Sequence, residues 1–346
     1  MPPVRVLIVD DSITMRALFS GVLEEAPGIQ VINHAANAAE ARTLIATTHP
    51  DVVTLDVEMP GTSGIELLRE IMRDKPRPVI MLSSLTQKGS ATTLEALELG
   101  AYDCFPKPKA ATMEEFRKIG PKLAKIVKAA AAGTATKTHH ATGGALVGAD
   151  YQTPDSVMVL VGNTGSVDMV TNIVNRLPAN CPPVILHMGD SLGFADALVD
   201  RLQKSARPTA RAAFDGQMLE SGNVYLIRDN HRHAVVDRGA QPVIRLVDGD
   251  PIAGHRPSAN LLLQSLVTTM GGRVAAGFLS GVGDDGVVAA AAVRAAGGCV
   301  ASVVASEAKA GELAHAAQTL AGATALDLTE LGRTLLCHRA PVPVAA

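Results

Sequence analysis

Residues 6–11 read VLIVDD, a short apolar run that ends in two acids. Four successive apolar residues, three of them β-branched, predict a buried strand. Helical spacing follows over residues 12–23, and the same alternation of apolar runs with helical patterns continues along the chain. Because alternating strands and helices build parallel sheets, this stretch predicts an α/β fold that begins with its first strand.

The alternation predicts four more strands and four more helices in the first part of the chain. The strands are expected at Val31–Ile32, Val52–Leu55, Val79–Leu82 and Tyr102–Phe105. The helices are expected at Ala38–Thr47, at Gly64–Arg73, around Leu94–Leu99 and at Met113–Ala130. Asn37, with Glu40 three residues on, is typical of a capping box that opens a helix. We therefore expect a flavodoxin-like domain over residues 1–125, with a five-stranded, doubly wound parallel sheet.

A stretch of small residues separates the two halves of the chain. Residues 129–150 read AAAAGTATKTHHATGGALVGAD, which offers little to bury, and we expect a flexible linker over residues 126–152. The pair His139 and His140 has no acid or cysteine nearby, so a metal site there is not expected. Beyond the linker, strands are expected at Val157–Val161, Val184–His187, Asn223–Ile227 and Val274–Leu279. They predict a second doubly wound α/β domain over residues 153–346.

Composition narrows the class of protein. The chain has 346 residues, a formal net charge of −3, 47% hydrophobic residues and 19% charged residues, which excludes disorder of the whole chain. No basic field is expected to attract nucleic acid, and no apolar run reaches the roughly 18 residues of a membrane span. Four scattered cysteines predict neither a disulfide framework nor a zinc site, and a strand in place of a signal peptide predicts a cytoplasmic protein.

Chemically active side chains follow the predicted strands of the first domain. Asp10 and Asp11 end the first strand, Asp56 ends the third, Ser83 ends the fourth and Lys107 follows the fifth. The carboxyl ends of parallel strands meet at one edge of a sheet, so these groups are expected to converge. Three converging carboxylates repel one another unless a divalent cation such as Mg²⁺ joins them. With Mg²⁺ and a lysine present, an aspartate can accept a phosphoryl group.

This ordered set, completed by Pro108 after the lysine, resembles the receiver domain of two-component response regulators. The resemblance implies that Asp56 is the phosphoacceptor. It also implies that Asp10 and Asp11 hold Mg²⁺, with help from the backbone of Glu58.

The resemblance further implies that Ser83 is the switch hydroxyl and that Lys107 contacts the phosphoryl group. Receivers often carry an aromatic residue three positions before the lysine, where this chain has Cys104. Phe105 and Tyr102 are the neighbouring candidates for that switch role.

The sequence of residues 79–90, VIMLSSLTQKGS, resembles the receiver of the chemotaxis protein-glutamate methylesterases (CheB-like), and the second half agrees. Three segments there are similar to the family's active-site segments: Leu160–Ser166 (LVGNTGS), Leu186–Met188 and Leu279–Gly286 (LSGVGDDG). Arg256–Ser258 is similar to a helix start of that family. The resemblance implies His187 as the base and Asp285 as the acid that orients it. No cofactor is expected in this domain.

The family's nucleophile position, aligned without gaps, is Asn163. An amide cannot be deprotonated for attack at neutral pH, whereas a hydroxyl beside a histidine can. Thr164 points about 100° away from position 163, and Ser166 lies one helical turn deeper. Because displacements of about 1 Å cost about 10²-fold in rate, neither is a close substitute. His187 can instead be a hydrogen-bonded core histidine, and Asp285 can cap the helix that begins near Gly286.

Three functional hypotheses follow. The first is a chemotaxis-type regulator, phosphorylated by a histidine kinase, whose degenerate esterase domain acts through phosphorylation-gated contacts. The alternative is an active protein-glutamate methylesterase that demethylates methyl-accepting chemoreceptors with Ser166 or Thr164. A receiver that controls some other hydrolase is a third interpretation.

Overall fold

A computed structural model describes residues 2–83, 87–108, 110–132, 144–189, 194–238 and 241–340, with the backbone alone at residues 87–90. The chain divides into two compact units, Met1–Thr138 and His139–Ala346. This agrees with the prediction of two α/β domains. Each unit has its own sheet and its own core.

The first unit alternates strands with helices along the chain. Its strands are β1 (Val4–Val9), β2 (Ile29–Ala35), β3 (Val52–Asp56), β4 (Val79–Ser83) and β5 (Asp103–Pro106). Its helices are α1 (Ile13–Glu24), α2 (Ala38–Thr48), α3 (Gly64–Asp74), α4 (Gln87–Glu98) and α5 (Met113–Ala132). Among the described residues these strands form one parallel sheet in the order β2-β1-β3-β4-β5. The predicted five-stranded flavodoxin-like sheet is confirmed.

Side-chain caps explain where several of these helices begin. Asn37 Oδ1 accepts the Glu40 N–H at 3.0 Å, as expected at the start of α2. The Glu40 carboxylate bonds to the Ala36 N–H rather than to the Asn37 N–H, so the reciprocal half of the predicted capping box is shifted by one residue. Ser63 and Glu66 form a complete capping box at α3. Each cap satisfies N–H groups that have no partner inside the helix.

The region between the units is more ordered at both ends than the predicted linker of residues 126–152. Helix α5 continues to Ala132 and buries Ile126 and Val127. On the far side, Leu146 is buried and its N–H donates to the Arg176 carbonyl at 3.2 Å. Apolar side chains among the small residues drive this packing. The pair His139 and His140 lies outside the described residues.

The second unit has more strands than the sequence predicts. Its strands are β6 (Val157–Val161), β7 (Val184–His187), β8 (Thr209–Ala212), β9 (Gln217–Met218), β10 (Asn223–Ile227), β11 (His233–Asp237), β12 (Val243–Val247), β13 (Val274–Phe278), β14 (Cys299–Val303) and β15 (Thr324–Leu326). Its helices are α6 (Val167–Asn175), α7 (Ala195–Ser205), α8 (Ala259–Met270), α9 (Val287–Ala295), α10 (Glu312–Ala321) and α11 (Leu328–Leu336). All four predicted strands are present.

Within the described residues, seven of these strands form a parallel sheet in the order β15-β14-β13-β6-β7-β10-β8. The strand order reverses at β6, between β13 and β7, and such switch points leave a crevice at the carboxyl ends of the strands. The loops after β6 and β13 carry Asn163 and Asp285 to this edge, and His187 is the last residue of β7. The predicted second doubly wound domain is therefore confirmed.

A small antiparallel sheet, β11-β12-β9, was not predicted. Its strands are short and carry polar residues, so they lack the continuous apolar runs of the parallel strands. The sheet is joined to α8 by the Val236 N–H, which donates to Ser265 Oγ at 2.8 Å. None of the helices in the described part of the chain has the length and apolar character needed to cross a bilayer.

Candidate functional site

Strand ends bring two carboxylates and one ammonium of the first unit into direct contact. Lys107 Nζ lies 2.8 Å from Asp10 Oδ2 and 2.7 Å from Asp56 Oδ2. Both aspartates are buried, and the lysine side chain is only 14% exposed. The predicted convergence of these three groups is therefore observed.

Asp11 completes an acidic cluster. One carboxylate oxygen from each of Asp10, Asp11 and Asp56 lies within 4.8 Å of the others. Three carboxylates and the Lys107 ammonium leave two negative charges, which a divalent cation would balance. Hard oxygen donors of this kind suit Mg²⁺, so the donor set fits the predicted ion. The Glu58 N–H donates to Asp56 Oδ1 at 3.2 Å, so this backbone orients the carboxylate.

The surroundings change the pKa of both Asp56 and Lys107. Burial raises the pKa of Asp56, and the neighbouring Asp10 adds to this, although the hydrogen bond from Lys107 acts in the opposite direction. For Lys107, burial lowers the pKa, but its hydrogen bonds to the two aspartates outweigh burial and raise it. The lysine is therefore held in its charged form beside carboxylates that carry a desolvation penalty.

Ser83 lies at the same edge, one residue beyond the point where β4 pairs with Asp56. Its hydroxyl accepts a hydrogen bond from Thr93 Oγ1 at 3.3 Å. Cys104 Sγ in turn donates to the Thr93 carbonyl at 3.6 Å. Tyr102 and Phe105, the candidate substitutes for an aromatic switch, are both buried. The predicted switch hydroxyl is thus connected to α4 through Thr93, a residue that sequence reasoning missed.

In the second unit, the side chain of Asn163 is held on both sides. Its Oδ1 accepts the Thr164 N–H at 2.6 Å and the Val282 N–H at 2.8 Å. Its Nδ2 donates to the Val282 carbonyl at 3.0 Å. These contacts join the turn after β6 to the glycine-rich loop after β13.

The two hydroxyl groups next to Asn163 are buried. Ser166 Oγ donates to the Asn163 carbonyl at 2.7 Å and lies 4.0 Å from Met188 Sδ. Thr164 is 2% exposed, and its carbonyl accepts a hydrogen bond from Ser280 Oγ. Ser166 is therefore directed at the backbone of its own turn.

His187 is enclosed at the end of β7. Its Nδ1 accepts a long hydrogen bond of 3.4 Å from the Gly189 N–H, and within the described ranges no partner bonds to its Nε2. Burial lowers the pKa of this imidazole, and His255 contributes in the same direction, while Asp285 opposes them. Neither Thr164 nor Ser166 forms a hydrogen bond with His187 in the described part of the chain.

Asp285 contacts the start of helix α8. Its Oδ1 accepts the Ser258 hydroxyl at 3.0 Å and the Asn260 N–H at 3.2 Å, and its Oδ2 accepts the Ala259 N–H at 2.8 Å. The predicted cap of the helix near Gly286 is wrong, because Gly286 begins α9 without a side-chain cap. The carboxylate caps a helix that begins 26 residues earlier in sequence than Asp285, as the Ala259 contact shows.

Comparison with known proteins identifies the two units separately. The CheB methylesterase family matches residues 158–335, and the response regulator receiver domain family matches residues 6–117. A protein-glutamate methylesterase/protein-glutamine glutaminase of Agrobacterium fabrum is 40% identical over 296 residues, covering 85% of this chain and 84% of the relative. This chain belongs to the CheB methylesterase family.

Other relatives agree with membership in the CheB family. A protein-glutamate methylesterase/protein-glutamine glutaminase 1 of Caulobacter vibrioides is 39% identical over 298 residues, covering 86% of each chain. The catalytic domain of Thermotoga maritima CheB methylesterase shares the fold, with a TM-score of 0.50 and 23% identity. The match covers 52% of this chain and 97% of the Thermotoga maritima chain. The two-domain arrangement of receiver and methylesterase fold is therefore established.

One buried ion pair of this CheB family member was not foreseen. Lys309 Nζ lies 3.5 Å from Asp168 Oδ2, and the two side chains are 3% and 10% exposed, respectively. The lysine packs against the turn after β6, since a Cβ added to Gly165 would lie 2.7 Å from Lys309 Cβ. No local pattern marks Lys309 in the sequence, because its partner is more than a hundred residues away. Asp168, in the first turn of α6, is the only signal that sequence could offer.

Proposed function

We propose that this chain is a chemotaxis-type response regulator in which phosphorylation of Asp56 gates contacts made by a methylesterase-like unit without esterase activity. The observation that carries the proposal is the side chain of Asn163. Its carboxamide makes three hydrogen bonds to backbone groups, and we assign Asn163 to the family's nucleophile position by sequence resemblance.

The receiver supplies the chemistry for phosphorylation. Asp56 accepts the phosphoryl group, and Asp10 and Asp11 hold Mg²⁺ together with Asp56. When bound, Mg²⁺ neutralises negative charge on the phosphoryl oxygens. Lys107, already hydrogen-bonded to Asp56, moves its ammonium onto a phosphoryl oxygen. Ser83 donates its own hydroxyl proton to the same group, and it can do so while its oxygen still accepts the hydrogen bond from Thr93 Oγ1.

Among the described residues of the second unit, no hydroxyl group is hydrogen-bonded to His187. Attack on an ester needs a hydroxyl whose proton passes to a histidine, and the hydroxyl of Ser166 donates to a carbonyl instead. Loss of a triad nucleophile costs about 10⁶-fold in kcat in a well-studied serine hydrolase. We therefore assign this unit a binding role, in which the receiver's state controls access to a partner protein.

The relatives support the choice of partners. Curated relatives at 39–40% identity are named protein-glutamate methylesterase/protein-glutamine glutaminase. We propose a chemotaxis-type histidine kinase as the phosphoryl donor and methyl-accepting chemoreceptors as the contacts of the second unit, with a cytoplasmic location.

A second candidate, an active methylesterase that uses Ser166 or Thr164, is favoured by one observation. His187 has a pKa lowered by burial, so it is neutral at pH 7 and able to accept a proton. In this case either hydroxyl has to rotate or move toward the imidazole when substrate binds.

Methanol release from methylated receptor membranes separates the two candidates. The full-length chain, treated with acetyl phosphate and Mg²⁺, is compared with the Asn163→Ser variant. We expect no release above background from the wild type, and a release by Asn163→Ser would locate the loss at the nucleophile. Release by the wild type that disappears in His187→Gln would establish the active esterase and overturn the binding role.

Labelling with acetyl phosphate tests the receiver independently. We expect the wild type to incorporate one phosphoryl group in the presence of Mg²⁺. Hydroxylamine is expected to release this group, because it cleaves acyl phosphates. Asp56→Asn is expected to incorporate none, and the Asp51→Asn variant serves as the control for an aspartate outside the cluster. Equal labelling of all three chains would remove Asp56 as the phosphoacceptor.

A further inference from the structure

Two backbone N–H groups from different loops converge on one oxygen atom in the second unit. Asn163 Oδ1 lies 2.6 Å from the Thr164 nitrogen and 2.8 Å from the Val282 nitrogen. A pair of backbone donors aimed at a single oxygen is the arrangement that proteins use to hold an acyl oxygen. In this chain the oxygen that they hold belongs to a side chain of the protein itself.

A third peptide group completes the set of contacts. The Val282 carbonyl accepts the Asn163 Nδ2–H at 3.0 Å, so one residue both donates to and accepts from the carboxamide. Two donors and one acceptor complement a primary carboxamide, which has one oxygen and one NH₂ group. A carboxylate in the same place would meet the Val282 carbonyl with a second oxygen, and an ester would leave that carbonyl without a donor.

Two glycines leave room for the carboxamide. A Cβ added to Gly281 would lie 2.7 Å from Asn163 Oδ1, and a Cβ added to Gly189 would lie 3.2 Å from Asn163 Cβ. The backbone therefore approaches the amide at distances that other residues could not tolerate without movement. The turn after β6 and the loop after β13 are joined once more by the Asn163 N–H, which donates to the Ser280 carbonyl at 3.1 Å.

We propose that Thr164 N–H and the N–H and C=O of Val282 form a binding site for a primary carboxamide, and that Asn163 fills this site as an internal ligand. The side chain blocks the two converging donors against any external acyl oxygen. It also joins the loop after β13 to the turn after β6. This inference goes beyond the proposed function, because it holds whether or not the second unit contacts receptors.

Removal of the carboxamide and its replacement by a small molecule provide the test. Asn163→Ala deletes the CONH₂ group and leaves the Cβ, so formamide is the missing fragment. We expect the variant to melt at a lower temperature than the wild type, because three partly buried backbone groups lose their hydrogen-bond partner in the carboxamide. Formamide is then expected to raise the Tm of Asn163→Ala by about 2–4 °C relative to its effect on the wild type, with saturation.

Formate is the matched control, since it has the size of formamide but no N–H to donate. We expect formate to give less than half of the relative Tm shift of formamide. Equal effects of formamide on variant and wild type, or equal rescue by formate and formamide, would overturn the carboxamide site.

A second measurement applies if Asn163→Ala does not fold well. In chains labelled with ¹⁵N-threonine, Asn163→Ser is expected to move the Thr164 amide resonance, and formamide is expected to shift it back toward the wild-type position. An unmoved resonance in Asn163→Ser would contradict the contact. These outcomes are separate from methanol release by the wild type, which tests the proposed function alone.

Discussion

Asp285 Oδ2 accepts the backbone N–H of Ala259 at 2.8 Å, and this contact joins the loop after β13 to the first turn of α8. Ser258 is the residue before that helix, but its side chain makes no cap of its own and its hydroxyl donates to Asp285. The cap of α8 is therefore supplied by a distant carboxylate, and its negative charge lies where the helix dipole favours it. Asp285, which the resemblance implies as the acid that orients His187, therefore also caps α8.

Replacement of Asp285 by alanine is expected to lower the free energy of unfolding by about 1–3 kcal/mol, because it removes the cap and leaves buried donors without partners. Urea denaturation of the full chain measures the change. Asp284→Ala is the matched control, because Asp284 is exposed and, among the described residues, its side chain makes no hydrogen bond to α8. We expect this variant to have nearly the unfolding free energy of the wild type. Equal losses in the two variants would show that the cap carries no special weight.

The pH dependence of stability reports on His187. Its folded-state pKa is lowered by burial, whereas the unfolded chain takes up the proton near pH 6.5. The stability that the folded state gains by keeping His187 neutral is fully present above about pH 6.5. It is lost as the pH falls toward the folded-state pKa, by up to about 1.4 kcal/mol per pH unit.

We therefore expect the wild type to lose more stability between pH 7.5 and 5.5 than His187→Gln, as measured by urea denaturation at both pH values. His315→Gln, at an exposed position of α10, is expected to retain the wild-type slope. A slope in His187→Gln as steep as in the wild type would contradict the buried neutral imidazole.

Lys107 holds two buried carboxylates together, so its removal is expected to be costly. In Lys107→Met, Asp10 and Asp56 face each other without the ammonium, and loss of one partner of a buried pair costs about 3–5 kcal/mol. Mg²⁺ is expected to raise the Tm of this variant more than that of the wild type, because the cation then replaces the missing charge.

Thermal unfolding with and without Mg²⁺ measures both effects. Lys118→Met is the control, because Lys118 pairs with glutamates at the surface, where ion pairs contribute about 0–1 kcal/mol. If Mg²⁺ stabilises Lys107→Met no more than the wild type, the cation does not replace the missing ammonium charge. If it stabilises neither chain, the acidic cluster does not bind the ion.

Cys104 occupies the position where receivers often carry an aromatic residue, and it is buried. Its Sγ contacts the Thr93 carbonyl at 3.6 Å. Overpacking a buried site costs about 1–3 kcal/mol, so Cys104→Phe is expected to lower the free energy of unfolding by that amount.

Cys104→Ala is the companion variant. Its free energy of unfolding is expected to fall by about 1 kcal/mol, because the substitution deletes only a small buried group. Chemical denaturation compares the two. A Cys104→Phe chain as stable as the wild type would show that the space accepts a ring, and would reopen the question of an aromatic switch at this position.

The convergence of Asp10, Asp56 and Lys107 could be predicted without a structure. Each residue follows an apolar run, the runs alternate with helices, and parallel strands bring their carboxyl ends to one edge. The candidate site residues of the second unit follow the same rule only in part. Asn163, His187 and Asp285 lie at the carboxyl ends of neighbouring strands, but no hydrogen bond joins His187 to either of the others among the described residues.

The sequence by itself determined the two α/β units, the principal parallel strands and the set of residues at their carboxyl ends. These follow from local periodicity and from the short range of chain connections. Only the tertiary structure decided that Asp285 caps α8, that Thr93 meets Ser83, and that the Asn163 carboxamide binds Val282, 119 residues away in sequence. The physical reason is that a hydrogen bond between two loops requires the donor and the acceptor to be placed to within a few tenths of an ångström. A pattern of residue types carries no information at that scale.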